Sequence, residues 1–156
     1  MKHIFALLLV LASVAVAADQ VPFVVTFTSS VPGGALPSCP AAAPVPIGLI
    51  GRGQATHMGT FTETQTHCLN LATGEFTSGQ YTITGANGDI VFGTYSGHVV
   101  PTSATTAAIY GVFVVTGGTG RFVGATGGGA ATGTLDFVTG EANDLLLKGT
   151  ISRPNK

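Results

Sequence analysis

The chain has 156 residues, of which 23 are glycine and only 8% are charged, and six Lys and Arg stand against seven Asp and Glu. This length suits one domain and is too short for two. The slight acidity argues against nucleic acid and anionic membrane surfaces as partners, because both attract clustered Lys and Arg.

The first predicted element is a signal peptide at residues 1–17. Lys2 gives a positive start, an apolar run follows at 4–11, and Ala-Val-Ala at 15–17 fits a cleavage site. The apolar run is too short to serve comfortably as a membrane anchor, since a span takes about 20 apolar residues. We therefore predict a secreted or periplasmic protein that is free of the membrane after signal cleavage.

The mature domain begins with a strand and a Pro-rich loop, residues 18–46, and 47–156 form the remainder of a single β-barrel domain. Five prolines between Val31 and Pro46 make the loop stiff and extended. Such a long loop is either a lid or plug, or a surface excursion. Cys39 and Cys68 favour one disulfide in an exported chain, which would tie this loop to the body, and two inert buried thiols are the alternative.

After the leader, helix signals are almost absent, and runs of Val, Ile, Thr, Phe and Tyr recur between Gly, Asn and Asp. These runs predict eight strands at 22–28, 47–55, 58–68, 75–84, 89–99, 107–116, 122–137 and 143–152. Their short spacing favours antiparallel hairpins that close on themselves, because parallel strands need intervening helices. We therefore expect an all-β, eight-stranded antiparallel barrel of the calycin-like type. Three glycines at 127–129 predict a bend or bulge in the seventh strand.

The sixth predicted strand is apolar on both faces. One face carries Ile109, Phe113 and Val115, and the other carries Tyr110, Val112 and Val114. A strand of this kind is covered on both sides, either by the chain or by another subunit. We therefore expect a homo-oligomer, a dimer or a trimer, formed through the outer barrel wall.

Residues 117–127 form a glycine-rich turn, Gly-Gly-Thr-Gly-Arg-Phe-Val-Gly-Ala-Thr-Gly. A phosphate loop is not indicated, because neither Lys-Ser/Thr nor a helix follows. The segment resembles the glycine-rich hairpin of the allene oxide cyclase and dirigent barrels, with Phe122, Ala125 and Gly127 where that pattern places them. Residues 55–61 and 86–89 look like segments of exported bacterial proteins with such a barrel.

This resemblance covers roughly residues 47–152. It implies an eight-stranded antiparallel barrel, often trimeric, with an apolar cavity that is open at one end. In the cyclases, a carboxylate and a few polar groups in the cavity assist closure of an unstable epoxide. In dirigent proteins, the cavity orients radicals without classical chemistry.

The third predicted strand carries the candidate catalytic residue. Phe61, Glu63, Gln65 and His67 alternate onto one face, and threonines occupy the other. If the threonines face solvent, Glu63 points into the lumen, where desolvation raises a carboxyl pKa and suits it to general acid or base catalysis. If the threonines line the interior, or a bulge exchanges the faces, Glu63 is exposed to solvent and idle.

Further candidate ligand-binding residues are Phe61, Gln65, Tyr95 and Arg52. Aromatic rings such as Tyr95 can line a pocket. Arg52 can meet an anionic ligand at the barrel rim, or simply pair with a surface carboxylate. His57 and His67 lie about 33 Å apart on a continuous strand, so they cannot share an ion, and we predict no metal and no cofactor.

Three functions fit the sequence. The first is a barrel that binds or orients a small apolar molecule without classical catalysis, and the second is an isomerase or cyclase that uses Glu63. The third is a structural or surface protein with a filled barrel, since side chains can fill an eight-stranded barrel completely. An open cavity would separate the first two from the third, and the direction of Glu63 would separate the first from the second.

Overall fold

A computed structural model describes residues 19–33, 36–152 and 154, so the predicted signal peptide lies outside the described residues. Eight strands form the body: β1 (Gln20–Ser30), β2 (Val45–Ala55), β3 (Gly59–Leu69), β4 (Glu75–Gly85), β5 (Ile90–Pro101), β6 (Thr106–Gly118), β7 (Gly127–Asp136) and β8 (Glu141–Ser152). A 3-10 turn, Gly120–Phe122, lies between β6 and β7. Among the described residues, no helix is both long and apolar enough to span a membrane.

Each strand pairs antiparallel with the next, and β8 pairs with β1, so the sheet closes into a barrel. The prediction of an all-β, eight-stranded antiparallel barrel is confirmed. Alternation along β1 shows how the sequence produces it: Phe23, Val25 and Phe27 are buried, while Thr26 and Thr28 are exposed. β-Branched and aromatic residues suit this half-buried, pleated surface.

The seventh strand begins later than predicted. β7 starts at Gly127, because Phe122 belongs to the 3-10 turn and is buried there. Gly127 has a φ of 154°, and a Cβ at this position would collide with the carbonyl oxygen of Thr150 on β8. Glycine therefore marks the start of the strand, where two backbones approach closely. The register of β7 on β8 shifts between Thr132 and Thr134 rather than within the glycine run.

One end of the barrel is solid. The closed end is the end that holds the β2–β3, β4–β5 and β6–β7 connections, and buried apolar side chains fill it. They include Phe23, Val91, Val115, Phe122 and Ile151. At this end Nε of Arg121 lies 2.6 Å from the Asp89 carboxylate, whose pKa is lowered by this hydrogen bond. The pair fastens the 3-10 turn to the β4–β5 turn.

The Pro-rich loop lies on the outside of the barrel. Cys39 and Cys68 form a disulfide, as predicted. Cys68 points outward, because its neighbours His67 and Leu69 line the interior. Of the described loop residues, Val31 alone reaches the interior cavity. The described part of the loop is therefore a surface excursion rather than a plug.

The outer face of β6 is exposed in the single chain. Tyr110 and Val112 are each 56% exposed, and Val114 is 47% exposed. The inner face of the same strand carries Phe113 and Val115, both buried in the core. The chain itself thus covers one apolar face of β6, and the homo-oligomer expected from the other face stays a prediction.

Candidate functional site

The second end of the barrel holds a cavity of about 280 Å³. This open end carries the β1–β2, β3–β4, β5–β6 and β7–β8 connections. This volume is just below the ~300–1,000 Å³ typical of small-molecule sites. Its walls are largely aliphatic and aromatic, and they include Phe27, Leu49, Ile83, Phe113 and Leu147. Side chains therefore fill only part of the barrel.

Glu63 lies in the inner end of this cavity and is only 4% exposed. Side chains alternate along β3, and Thr62 and Thr64 are exposed to solvent, so the side chain of Glu63 points into the barrel. Gly51 stands directly opposite on β2, and a Cβ there would lie 3.1 Å from Oε2 of Glu63. The absent side chain of Gly51 thus leaves room for the carboxyl group.

Ser29 lies on the other side of Gly51, on β1. It is also 4% exposed and lines the same cavity. Neither oxygen of Glu63 nor the Ser29 hydroxyl has a hydrogen-bond partner among the described residues. We call Ser29, Gly51 and Glu63 the polar row. Among the described residues that line the cavity, Glu63 and Ser29 are the ones with buried side-chain oxygens that have no hydrogen-bond partner.

Burial raises the pKa of Glu63 to about 8, and the neighbouring Gln65 amide partly offsets the shift. Desolvation disfavours the charged carboxylate, so Glu63 is mostly protonated at neutral pH unless a cation pairs with it. In that state it can donate one proton and still accept hydrogen bonds.

A second polar pair lies nearer the mouth. His67 Nδ1 is 2.7 Å from the Tyr95 hydroxyl, and the Phe76 ring is 5.2 Å from the imidazole. Burial raises the pKa of Tyr95, and Glu63 raises it further, so the hydroxyl stays protonated. The imidazole tautomer decides which of the two groups donates this hydrogen bond. Burial lowers the pKa of His67 to about 4, which keeps the imidazole neutral at physiological pH.

Tyr81 stands beside Gln65 on the neighbouring strand. Its hydroxyl donates to the carbonyl oxygen of Val114 over 3.2 Å. The Tyr81 side chain passes over Gly93 on β5 to reach this carbonyl, and a Cβ at Gly93 would lie 2.7 Å from the Tyr81 hydroxyl. Burial raises the pKa of Tyr81, with a further contribution from Glu63.

The structure brings together three of the predicted site residues. Glu63, Gln65 and Tyr95 all line the cavity. Phe61 is buried below them, and its ring centroid is 6.2 Å from that of Phe27, so it belongs to the packed core. Arg52 is exposed on the outer face of β2, because it alternates with inward-facing glycines, and it does not line the cavity.

No metal site is apparent among the described residues, where no three His, Cys, Asp or Glu side chains gather. His57 lies in the β2–β3 turn of the closed end, and its Nε2 is 3.0 Å from the carbonyl oxygen of Pro22. His67 faces the cavity of the open end.

Sequence reasoning missed Ser29, and it did not separate Tyr81 from the other aromatic residues. Alternation with Phe27 marked Ser29 as inward-facing, which was an available signal. The glycines that make room for Glu63 and for the Tyr81 hydroxyl gave no comparable signal. Their role depends on cross-strand register, which the sequence does not display.

Comparison of the chain with models of protein families, with curated proteins and with solved structures finds no match. The resemblance to the allene oxide cyclase and dirigent barrels stays a prediction.

Proposed function

We propose that the protein binds or orients a small, mainly apolar molecule in the open end of the barrel, without classical catalysis. One observation carries the proposal: a cavity of about 280 Å³ has apolar walls and a buried, unpaired Glu63 at its inner end. Every 100 Å² of apolar ligand surface that leaves water for this cavity favours binding by about 2.5 kcal/mol, before the entropic cost of association. A few polar groups on apolar walls are typical of sites that orient a ligand.

Export fits this function. The disulfide between Cys39 and Cys68 is of a kind that persists in oxidising compartments, which supports the proposal that the protein works outside the cell or in the periplasm. A barrel there would encounter small molecules before they enter the cell, or after they leave it.

Native mass spectrometry of the protein purified from its own host tests the proposal. A small molecule that co-purifies, and that leaves on harsher activation, is the expected result. Ala131→Leu adds bulk to a cavity-lining position and should abolish the bound mass, while Ala130→Leu on the exposed face of the same strand should keep it. A clean mass in every oligomeric state, repeated after soaking with lipids and terpenoids, would overturn the proposal.

A second candidate function is an isomerase or cyclase that resembles allene oxide cyclase. The observation in its favour is Glu63, which is buried, lines the cavity and has its pKa raised to about 8. A general acid is most effective when its pKa lies near the working pH. Turnover of the co-purified molecule by the natural protein, lost in Glu63→Gln, would favour this function, whereas recovery of the molecule unchanged would favour binding alone.

A further inference from the structure

The proposed function leaves the chemical class of the ligand open, and the polar row bears on it. Oε2 of Glu63 and the Cβ of Ser29 would each lie 3.1 Å from a Cβ at Gly51, so the two side chains approach each other over this glycine. A head group at that point would meet the two carboxyl oxygens and the hydroxyl oxygen, all unpaired and buried. We propose that the ligand is a small apolar amine whose ammonium group binds Glu63 and Ser29. This inference rests on the proposed function.

The donor and acceptor pattern favours an ammonium group. Ionised Glu63 only accepts hydrogen bonds, and the Ser29 hydroxyl oxygen can accept as well. The two nearby tyrosine hydroxyls are engaged elsewhere, Tyr81 with the Val114 carbonyl and Tyr95 with His67. The Gln65 amide is the remaining donor near Glu63: it is close enough to lower the carboxyl pKa, but neither carboxyl oxygen has a partner at hydrogen-bond distance and angle. An alkylammonium group offers three N–H donors, which matches the three oxygens of the polar row.

The charge of the cavity also favours a cationic ligand. No Lys or Arg is among the described residues that line it, and His67 is neutral because burial lowers its pKa to about 4. An anionic ligand would therefore be desolvated without a counter-charge, which is costly. Asp136 lies at the mouth, where its Oδ1 already accepts from the amides of Val138 and Thr139. Glu63 is thus the buried carboxyl available to a cation.

The aromatic walls suit an amine with a ring. Phe113, Tyr81 and Tyr95 line the same cavity as Glu63, and aromatic faces attract cations as well as apolar surface. The cavity volume of about 280 Å³ limits the ligand to one ring system with a short chain. 2-Phenylethylamine is therefore a suitable probe, with 2-phenylethanol as its neutral counterpart and phenylacetate as its anionic one.

Calorimetric titration with these three probes tests the inference. A charge-assisted hydrogen bond contributes about 1.5–3 kcal/mol, so the amine should bind about ten- to a hundredfold more tightly than the alcohol at pH 8. Phenylacetate should bind most weakly. In Glu63→Gln the ratio of amine to alcohol affinity should fall to about one, while Glu75→Gln, an exposed carboxyl outside the cavity, should preserve the ratio.

A pH series on the natural protein provides a test that needs no variant. Glu63 must lose a proton before it pairs with an ammonium, and its pKa without such a partner is about 8. The other titratable groups that face it stay neutral: the pKa values of Tyr81 and Tyr95 are raised, and that of His67 is lowered to about 4. Amine affinity should therefore rise about tenfold from pH 6 to pH 7, level off above pH 8, and fall only near pH 10, where an alkylammonium deprotonates.

The possible results distinguish the two proposals. Alcohol or phenylacetate binding as tightly as the amine would overturn the amine assignment and leave the binding function in place. Amine affinity that stays constant between pH 6 and pH 8 would overturn the assignment as well. If none of the three probes binds, the amine assignment fails, and native mass spectrometry decides the binding function separately.

Discussion

Glu63 on β3 stands directly opposite Gly51 on β2, and the carboxyl group occupies space that any larger residue at Gly51 would remove. A Cβ at Gly51 would lie 2.7 Å from the carbonyl oxygen of Thr28, so the β1 backbone also depends on this glycine. The chain thus buries an ionisable group beside a position that carries no side chain of its own. Such a group stabilises or destabilises the fold according to its charge, which makes the free energy of unfolding depend on pH.

Glu63→Gln should raise the stability of the protein at alkaline pH. The pKa of Glu63 is raised in the folded state to about 8 from 4.5, so the folded state holds this proton more tightly than the unfolded chain does. The stabilisation from protonated Glu63 is complete below pH 4.5 and is lost as the pH rises to 8. Glutamine does not titrate, so the advantage of the variant should grow through this window to several kcal/mol, at about 1.4 kcal/mol per unit of pKa shift.

Urea unfolding of both proteins between pH 4 and pH 9 measures this difference. Glu75→Gln serves as the control, because Glu75 is exposed. A difference between Glu63→Gln and the natural protein that is the same at every pH would contradict the burial of a protonated carboxyl.

His67 should act in the opposite direction. Its pKa is lowered from 6.5 to about 4 in the folded state, so stability is lost as the pH falls from 6.5 to 4. Between pH 4.5 and pH 6.5 the effects of His67 and Glu63 therefore oppose each other. His67→Phe should lose stability at neutral pH, since the Tyr95 hydroxyl loses its hydrogen-bond partner, and this loss should shrink as the pH falls toward 4.

Thermal unfolding followed by circular dichroism at pH 4.5 and pH 7 tests the role of His67. The double variant His67→Phe/Tyr95→Phe separates the two effects, because it removes the unpaired hydroxyl as well as the titrating group. Equal destabilisation of His67→Phe at both pH values would show that the imidazole does not titrate below its usual range.

Local patterns predicted most of the fold. Seven strands begin and end within two residues of the predicted positions, because alternating β-branched and aromatic residues fixed both the strands and their inner faces. The start of β7 was predicted wrongly, since Phe122 looks like a strand residue until it is seen to fill the closed end of the barrel. There tertiary packing outweighs intrinsic preference.

The site was predicted less completely than the strands. Glu63 and Gln65 were candidates because alternation along one strand was enough to place them together. Ser29 lies beside Glu63 only through the pairing of β1 with β2 and of β2 with β3. A shift of one residue in either pairing would turn one of these side chains to solvent, and register of this kind arises from the whole barrel.

Tyr81→Phe should destabilise the fold by about 1 kcal/mol, because it removes the hydrogen bond from the buried hydroxyl to the Val114 carbonyl. Tyr110→Phe is the matched control, since Tyr110 is 56% exposed, and such surface changes usually stay within about 0.5 kcal/mol. Chemical denaturation at one pH gives both values. Equal losses in the two variants would mean that the hydroxyl of Tyr81 contributes nothing through Val114.

The disulfide should stabilise the protein without shaping the cavity. Cys39 and Cys68 are 29 residues apart, and closing a loop of this size stabilises the folded state by about 3–4 kcal/mol relative to the open unfolded chain. Cys68 faces away from the cavity, so reduction should lower the unfolding temperature while ligand affinity at 25 °C stays within about twofold, on the expectation that distant sites are independent. Paired melting and titration experiments on oxidised and reduced protein, with a Cys39→Ser/Cys68→Ser variant as reference, measure both quantities. A large loss of affinity on reduction would instead mean that the Pro-rich loop holds the open end in shape, most directly through Val31, the described loop residue that lines the cavity.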